Sequence, residues 1–180
     1  MPWHKDTMIA RSQAFACIGW GSLIWDSRTL PLIGGWRIDG PILPLEFARE
    51  SADGRITLVI CEHGTPVRTL WTMLAVPDLI TARRQLGIRE FERATPEWID
   101  VHIGFWDRAT GLKGGAGAET VAQWADSQGF AGAVWTSLEC GFRGARRGTM
   151  PTVEEVILHL QSLHGAERIS AKEYIRRAPR

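Results

Sequence analysis

Several short stretches of the chain are continuously apolar or alternate between apolar and polar residues, and both patterns predict β-strands. Residues 14–21, AFACIGWG, form an apolar run that ends at two glycines and predict a buried strand. Residues 54–64 and 65–76 are two further runs with a turn between them, so we expect them to pair as an antiparallel hairpin. Two more strands are predicted at residues 97–107 and 131–138.

Other segments repeat their apolar residues at helical spacing. Residues 78–92 predict a helix, and Asp78, directly after a proline, is its start signal. Residues 152–165 predict a second helix, in which Thr152 and Glu155 form a capping box. The apolar face of this second helix consists of Val153, Val156, Ile157, Leu160 and Leu163.

These elements, with a short helix predicted at residues 119–129, indicate a single domain of the α+β class over residues 1–180. The 180 residues can bury a sizeable core, and 44% apolar with 23% charged residues is typical of a globular protein. The net charge of +1 creates no field that would attract nucleic acid or an anionic membrane. We therefore expect a small-molecule partner and neither nucleic acid nor membrane.

Cysteine and histidine spacing bears on compartment and metal binding. The cysteines, at positions 17, 61 and 140, are too few and too scattered for a disulfide framework, which favours a reducing compartment. Residues 1–13 lack the apolar core of a signal peptide, and no apolar run approaches the ~20 residues that span a membrane. We therefore expect a cytoplasmic protein. No histidine pair and no Cys-x-x-Cys has metal-ligand spacing, so we expect no metal site.

Residues 17–26, CIGWGSLIWD, contain the first candidate for chemistry. Gly19 and Gly21 flank Trp20 at the end of the predicted strand, and Ser22 adds a hydroxyl group. Glycine lets a ligand approach the backbone closely, and successive N–H groups in such a turn form a nest for an anion such as a carboxylate. A plain structural turn explains the same residues, so both interpretations stay open here.

Glu90 is the second candidate. In a regular helix of about 100° per residue, Leu79, Leu86 and Glu90 lie within about 40° of one another. Arg89 then points elsewhere. The core-facing side of the helix would thus end in a carboxylate, and a carboxyl group held away from water can both take and give a proton near neutral pH. Alternatively, Gly87 breaks the helix and Glu90 is a surface residue paired with an arginine; the pattern does not decide between the two.

Four segments in this order, GWGSLIW, GRITLVI, VRTLWTMLAV and LGIRE, resemble the gamma-glutamylcyclotransferase-like superfamily, and most closely its glutathione-specific branch. That branch has a Gly-Tyr-Gly-Ser-Leu-Ile-Trp loop, a Gly-Arg-x-x-Thr-Leu-Val strand and an Arg-Glu pair that ends a helix. Six of the seven loop residues match, and Trp20 replaces the tyrosine. The resemblance covers roughly residues 15–105, while residues 109–180 diverge from that branch.

The resemblance implies a small mixed β-barrel with surrounding helices and a reaction that needs no metal or organic cofactor. Glu90 matches the family's general acid/base, which takes a proton from the α-amine of a γ-glutamyl substrate as that amine attacks its own γ-carbonyl. The glutamate then protonates the leaving amine, and 5-oxoproline is released. The loop residues that would hold the substrate carboxylate are Gly19, Trp20, Gly21, Ser22 and Leu23. Trp20 and the segment FER after Glu90, where the family has Gly-Gly-Tyr, would reshape the pocket.

Two other functions are compatible with the same residues. The first is a carboxylate-binding protein that keeps the fold and the anion nest without turnover. A Glu90 that faces the loop across a cavity would favour the enzyme, and an exposed or salt-bridged Glu90 would favour the binding protein. The second is a cysteine hydrolase that uses Cys61 or Cys140. The helix that starts at Thr152 could close the barrel, cover the pocket or make a homodimer contact.

Overall fold

The computed structural model describes residues 10–179, so the signal-peptide prediction falls largely on residues outside the description. Within that range the strands are β1 (Phe15–Gly19), β2 (Leu32–Arg37), β3 (Ile42–Glu50), β4 (Ile56–Ile60), β5 (Thr65–Arg68), β6 (Leu70–Leu74), β7 (Ile103–Asp107), β8 (Lys113–Gly114) and β9 (Gly132–Thr136). The α-helices are α1 (Ser22–Trp25), α2 (Leu79–Glu90), α3 (Pro96–His102), α4 (Ala118–Ser127), α5 (Val153–Ser162) and α6 (Gly165–Arg177).

The strands form a six-stranded sheet in the order β2-β6-β1-β9-β7-β8 and a three-stranded sheet in the order β4-β3-β5. In the larger sheet β1 pairs antiparallel with β6 and parallel with β9, so this sheet is mixed. The α+β class is confirmed. The expected closed barrel is not formed, because across residues 10–179 no ladder joins an edge strand of the smaller sheet to the larger sheet.

The central strand β1 borders two parts of the core. Ala16 and Ile18 belong to a cluster shared with the smaller sheet, whereas Phe15 and Cys17 belong to a cluster shared with α2. Alternate residues of a strand point to opposite faces, and both faces of β1 are covered. The sequence of β1 is apolar without interruption for that reason.

Two strand predictions are wrong in detail. The predicted hairpin does not form, because β4 pairs with β3 and the run at 65–76 divides into β5 of the smaller sheet and β6 of the larger. The division falls at Thr69, which is buried and bonds to the Pro41 carbonyl through its hydroxyl at 2.7 Å. Residues 97–107 begin as helix α3, which Thr95 caps, before the chain extends into β7.

Helix boundaries follow the capping residues. The Asp78 side chain accepts a hydrogen bond of 2.7 Å from the first turn of α2, and the capping box of Thr152 and Glu155 is confirmed at α5. The apolar face predicted for α5 reaches the core only in part, since Val153 and Ile157 are 69% and 48% exposed. Among the helices of residues 10–179, none combines the length and apolar character needed to cross a membrane.

Candidate functional site

A cavity of about 530 Å³ lies where the chain leaves β1 and meets the smaller sheet. The segment after β1 contributes Trp20, Ser22 and Leu23 to its lining, and the end of α2 contributes Arg89 and Glu90. The remaining lining comes from Arg28, from β3 with the turn into β4, from β4, from Phe91 and α3, from the end of β9 with Leu138, and from α6. The loop and the carboxylate that the sequence singled out therefore border one cavity, although they are far apart along the chain.

The two glycines shape the turn after β1 from behind the cavity lining. A Cβ atom on Gly19 would lie 2.6 Å from the ring of Trp36, so only a residue without a side chain fits there. Gly21 has a φ angle of +58°, which L-residues with a side chain rarely adopt, and a Cβ there would overlap the Tyr174 hydroxyl group. Close packing on both sides therefore requires glycine at these positions.

The backbone after Gly21 presents free hydrogen-bond donors. None of the N–H groups of Gly21, Ser22 and Leu23 makes a hydrogen bond to another residue within the described range 10–179. Ser22 and Leu23 line the cavity, so a ligand anion in that space can accept from their N–H groups. The anion nest stays a prediction, and the unpaired N–H groups are the observation that bears on it.

The Trp20 side chain makes a hydrogen bond within the protein and also lines the cavity. Its indole Nε1–H donates to the Leu58 carbonyl of β4 at 3.0 Å, and the residue is 6% exposed. The indole thus fastens the turn after β1 to the smaller sheet. Its remaining surface contributes apolar wall to the cavity.

The last two residues of α2 form an ion pair at the cavity wall. Arg89 Nη1 lies 2.5 Å from Glu90 Oε1, and the side chains are 5% and 17% exposed. Arg89 also donates to the Asp26 carbonyl at 2.6 and 3.1 Å and contacts Ser22 Oγ at 3.4 Å. The arginine therefore links α2 to both ends of α1 and holds the carboxylate next to the loop. Within residues 10–179, Glu90 Oε2 has no hydrogen-bond partner, so it can exchange a proton with a ligand.

Arg89 is a site residue that the helical pattern placed wrongly. Instead of pointing away, it lies on the buried face of α2 together with Ala82 and Leu86. Ala82, Leu86 and Arg89 are four and three positions apart, which places them on one helix face. A face identified from apolar residues alone leaves out a charged residue such as Arg89. Gly87 does not break α2. A Cβ there would lie 2.7 Å from Ile99, so the glycine instead allows α3 to pack closely.

A second wall of the cavity, from β3 and the turn into β4, is also charged. Arg55 Nε lies 2.8 Å from Asp53 Oδ2, with side chains 23% and 46% exposed. Burial tends to raise the pKa of Asp53, but a hydrogen bond from Ser51 and the charge of Arg55 lower it below its ordinary value. Arg49 lines the same wall and donates to the Glu139 carbonyl at 2.7 Å. Arginines outnumber carboxylates in the lining, so the cavity suits an anionic ligand.

The cysteines do not contribute to this site. Cys17, Cys61 and Cys140 lie outside the cavity lining. Burial raises the pKa of Cys61 to about 11 and that of Cys17 to about 12, so both are thiols and weak nucleophiles near neutral pH. His63, two positions after Cys61 and the histidine nearest to it in the sequence, is exposed. Among residues 10–179, no group of three or more His, Cys, Asp or Glu side chains could hold a metal ion.

Tyr174 is another cavity residue that the sequence analysis did not select. It is one of the two buried residues of α6, with Ala171 three positions earlier, and its side chain lines the cavity. Ser170 and Glu173 have the spacing of a capping box, which predicts a helix start at this point of the sequence. Helix α6 instead starts at Gly165, so both residues lie inside it. The spacing of Ala171 and Tyr174 was the available signal, but two residues are too few to define a helix face.

No protein-family model matches the chain, and neither a curated protein nor a solved structure matches it. The functional interpretation therefore depends on the geometry of the cavity and on the motifs that line it.

Proposed function

We propose that the chain is a gamma-glutamylcyclotransferase-like enzyme that releases 5-oxoproline from a γ-glutamyl amine or peptide. The observation that supports this function most is the position of Glu90, which borders one cavity with the unpaired N–H groups of Ser22 and Leu23. Three of the four motifs that resemble the superfamily, GWGSLIW, GRITLVI and LGIRE, contribute residues to this cavity, whereas VRTLWTMLAV does not. The superfamily fold, as a finer description of the α+β architecture, belongs to the same proposal.

In the proposed reaction, the loop N–H groups bind the α-carboxylate of the γ-glutamyl group. The substrate α-amine attacks the γ-carbonyl carbon and forms the ring C–N bond, while Glu90 accepts the proton that this amine loses. The γ-amide C–N bond then breaks as Glu90 returns the proton to the leaving nitrogen. Arg89 occupies Oε1 of Glu90 and orients the carboxylate, which leaves Oε2 for proton transfer. No water enters the products.

A carboxylate-binding protein without turnover is the second candidate. The ion pair of Arg89 and Glu90 favours it, because a glutamate held by a buried arginine can serve structure alone. Both candidates use the same anion nest and the same cationic cavity. They differ in whether Glu90 moves a proton.

The test is an assay of 5-oxoproline release over a panel of γ-glutamyl amines, γ-glutamyl dipeptides and glutathione. Wild type is compared with Glu90→Gln, which keeps the side-chain shape and removes the proton shuttle. We expect kcat to fall by about 10²–10⁴-fold, the usual contribution of general acid–base catalysis. Glu92→Gln is the matched control, because Glu92 is exposed and does not line the cavity.

Equal activity of wild type and Glu90→Gln would show that the mechanism is wrong. If no panel member reacts while 5-oxo-L-proline binds in a calorimetric titration, the binding protein is supported instead. Loss of activity in Cys61→Ser or Cys140→Ser, with Glu90→Gln active, would support a cysteine hydrolase.

A further inference from the structure

Tyr174 is the single tyrosine of the chain, and α6 holds it in the cavity wall with 3% of its surface exposed. Its ring makes edge contacts with Trp25 and Phe47, at centroid distances of 5.6 and 6.3 Å. The guanidinium carbon of Arg55 lies 5.3 Å from the ring centroid. A ring contacted from these directions has little freedom, so the position of its hydroxyl oxygen is fixed, while the O–H bond can still rotate towards an acceptor.

The hydroxyl group of Tyr174 uses only part of its hydrogen-bonding capacity within the protein. Its oxygen accepts a hydrogen bond from the Leu58 N–H at 3.2 Å. A phenol also has one proton to donate, and among residues 10–179 no acceptor bonds to it. A buried donor without a partner is unfavourable, which points to a ligand atom as its acceptor.

The hydroxyl group lies against the loop after β1. A Cβ built on Gly21 would overlap the Tyr174 hydroxyl, so the two groups are in direct contact. The unpaired N–H groups of Ser22 and Leu23 follow immediately in the chain. Burial raises the pKa of Tyr174 to about 12, and the phenol therefore keeps its proton at neutral pH.

We propose that Tyr174 is a ligand-binding residue whose hydroxyl group donates a hydrogen bond to the same carboxylate that the Gly21–Leu23 loop holds. The identity of that ligand, the α-carboxylate of a γ-glutamyl compound, rests on the proposed function. Because the carboxylate does not react, Tyr174 contributes to binding and specificity and leaves the chemical step unchanged. Helix α6, in the divergent part of the chain, thus completes the site.

The test uses Tyr174→Phe, which keeps the ring and removes the hydroxyl group. In a calorimetric titration with 5-oxo-L-proline, we expect Kd to rise about 10-fold or more, the usual effect of a lost hydrogen bond to a charged group. With the best panel substrate, KM should rise similarly while kcat stays within about 2-fold. Ile175→Ala, an exposed neighbour on the same helix, is the control and should leave Kd unchanged.

A neutral probe separates direct contact from a structural role of the hydroxyl group. With 5-oxo-L-prolinamide, which has no carboxylate, the effect of Tyr174→Phe should shrink to about 3-fold, as expected for a neutral acceptor. Should Tyr174→Phe weaken both probes by the same factor, the hydroxyl acts through the Leu58 contact and the proposal is overturned. Thermal unfolding of both proteins checks that the variant is folded.

The outcomes also separate this proposal from the proposed function. If wild type releases 5-oxoproline and Tyr174→Phe has wild-type Kd and KM, the Tyr174 assignment is wrong while the proposed function stands. If the binding penalty is found but neither protein releases 5-oxoproline, the assignment stands and the turnover proposal fails. A wild type that does not bind 5-oxo-L-proline overturns the assignment.

Discussion

Two arginine–carboxylate pairs line the cavity, and water reaches them to very different extents. In the pair of Arg89 and Glu90 the side chains are 5% and 17% exposed, whereas in the pair of Arg55 and Asp53 they are 23% and 46% exposed. Attraction between charges is stronger away from water, but each buried charge must also replace its lost hydration. Arg89 does so through its bonds to α1, while the other pair stays partly hydrated.

The difference in burial indicates different roles. Arg89 of the buried pair contacts Ser22 and bonds to Asp26, so it fixes the Glu90 carboxylate relative to the turn after β1. Proton transfer and charge stabilisation are efficient when the groups involved are already held in the reactive geometry before the reaction starts. The less buried pair lies in the turn between β3 and β4. It also contacts α6, because Ser170 donates to Asp53 and Arg55 lies over the Tyr174 ring, but the ion pair itself contributes little in water.

Removing the arginine of each pair is expected to give the largest contrast. Arg89→Ala leaves the Asp26 carbonyl without its donor and Glu90 without its partner, so we expect a loss of about 3–5 kcal/mol in the free energy of unfolding. Arg55→Ala removes a partly hydrated pair and the contact with the Tyr174 ring, and should cost about 1–2 kcal/mol. Urea unfolding of both variants gives the two values. Equal losses would show that burial does not distinguish the pairs.

A side chain added at Gly21, where the turn after β1 contacts Tyr174, is expected to have the next largest effect. Gly21→Ala forces an unfavourable φ angle, which costs about 1–2 kcal/mol, and also pushes against Tyr174, which adds about 1–3 kcal/mol. Gly34→Ala is the matched control, because Gly34 has a φ angle of +76° and no atom of residues 10–179 lies within 4 Å of where its Cβ would be. The difference in their unfolding free energies isolates the contact with Tyr174. If the two variants are equally stable, α6 does not press on the loop.

The smallest expected effect concerns the pH dependence of the exposed pair. The pKa of Asp53 is lower in the folded protein than its ordinary value of 3.8. The ionised carboxylate therefore stabilises the fold fully at pH values above 3.8. This contribution is lost as the pH falls through the lower folded-state pKa. Asp53→Asn should therefore lose less stability than wild type between neutral pH and strongly acidic pH, as urea midpoints will show. Identical losses would mean that the pair contributes nothing.

The parts of the site that sequence predicts are local. The glycines at 19 and 21 mark the end of β1, and Asp78 and the capping box at Thr152 mark helix starts within a few residues. The period of α2 made Glu90 a candidate but did not decide between a carboxylate at the core-facing side and a surface residue paired with an arginine. Each of these depends on neighbouring residues, for which steric rules and hydrogen-bond geometry are well defined.

The parts that sequence does not predict depend on contacts between distant segments. In the smaller sheet β3 lies between β4 and β5 and pairs with both, so β4 and β5 do not form the predicted hairpin. No local sequence pattern indicates these pairings. Arg89 is buried because α1 offers it backbone oxygens, which its own helix does not reveal. Tyr174 reaches Leu58 across 116 positions, and nothing in α6 alone indicates that contact.

In the proposed reaction the substrate amine, and not water, attacks the γ-carbonyl carbon, and Glu90 transfers the proton. The most direct measurement uses the best panel substrate with heavy nitrogen at its α-amine, in water enriched in heavy oxygen, followed by mass spectrometry of the products. Attack by the amine gives 5-oxoproline that retains the heavy nitrogen and contains no heavy oxygen, and we expect this product from wild type and almost none from Glu90→Gln. Free glutamate that contains heavy oxygen would contradict the proposed reaction, because that product requires hydrolysis.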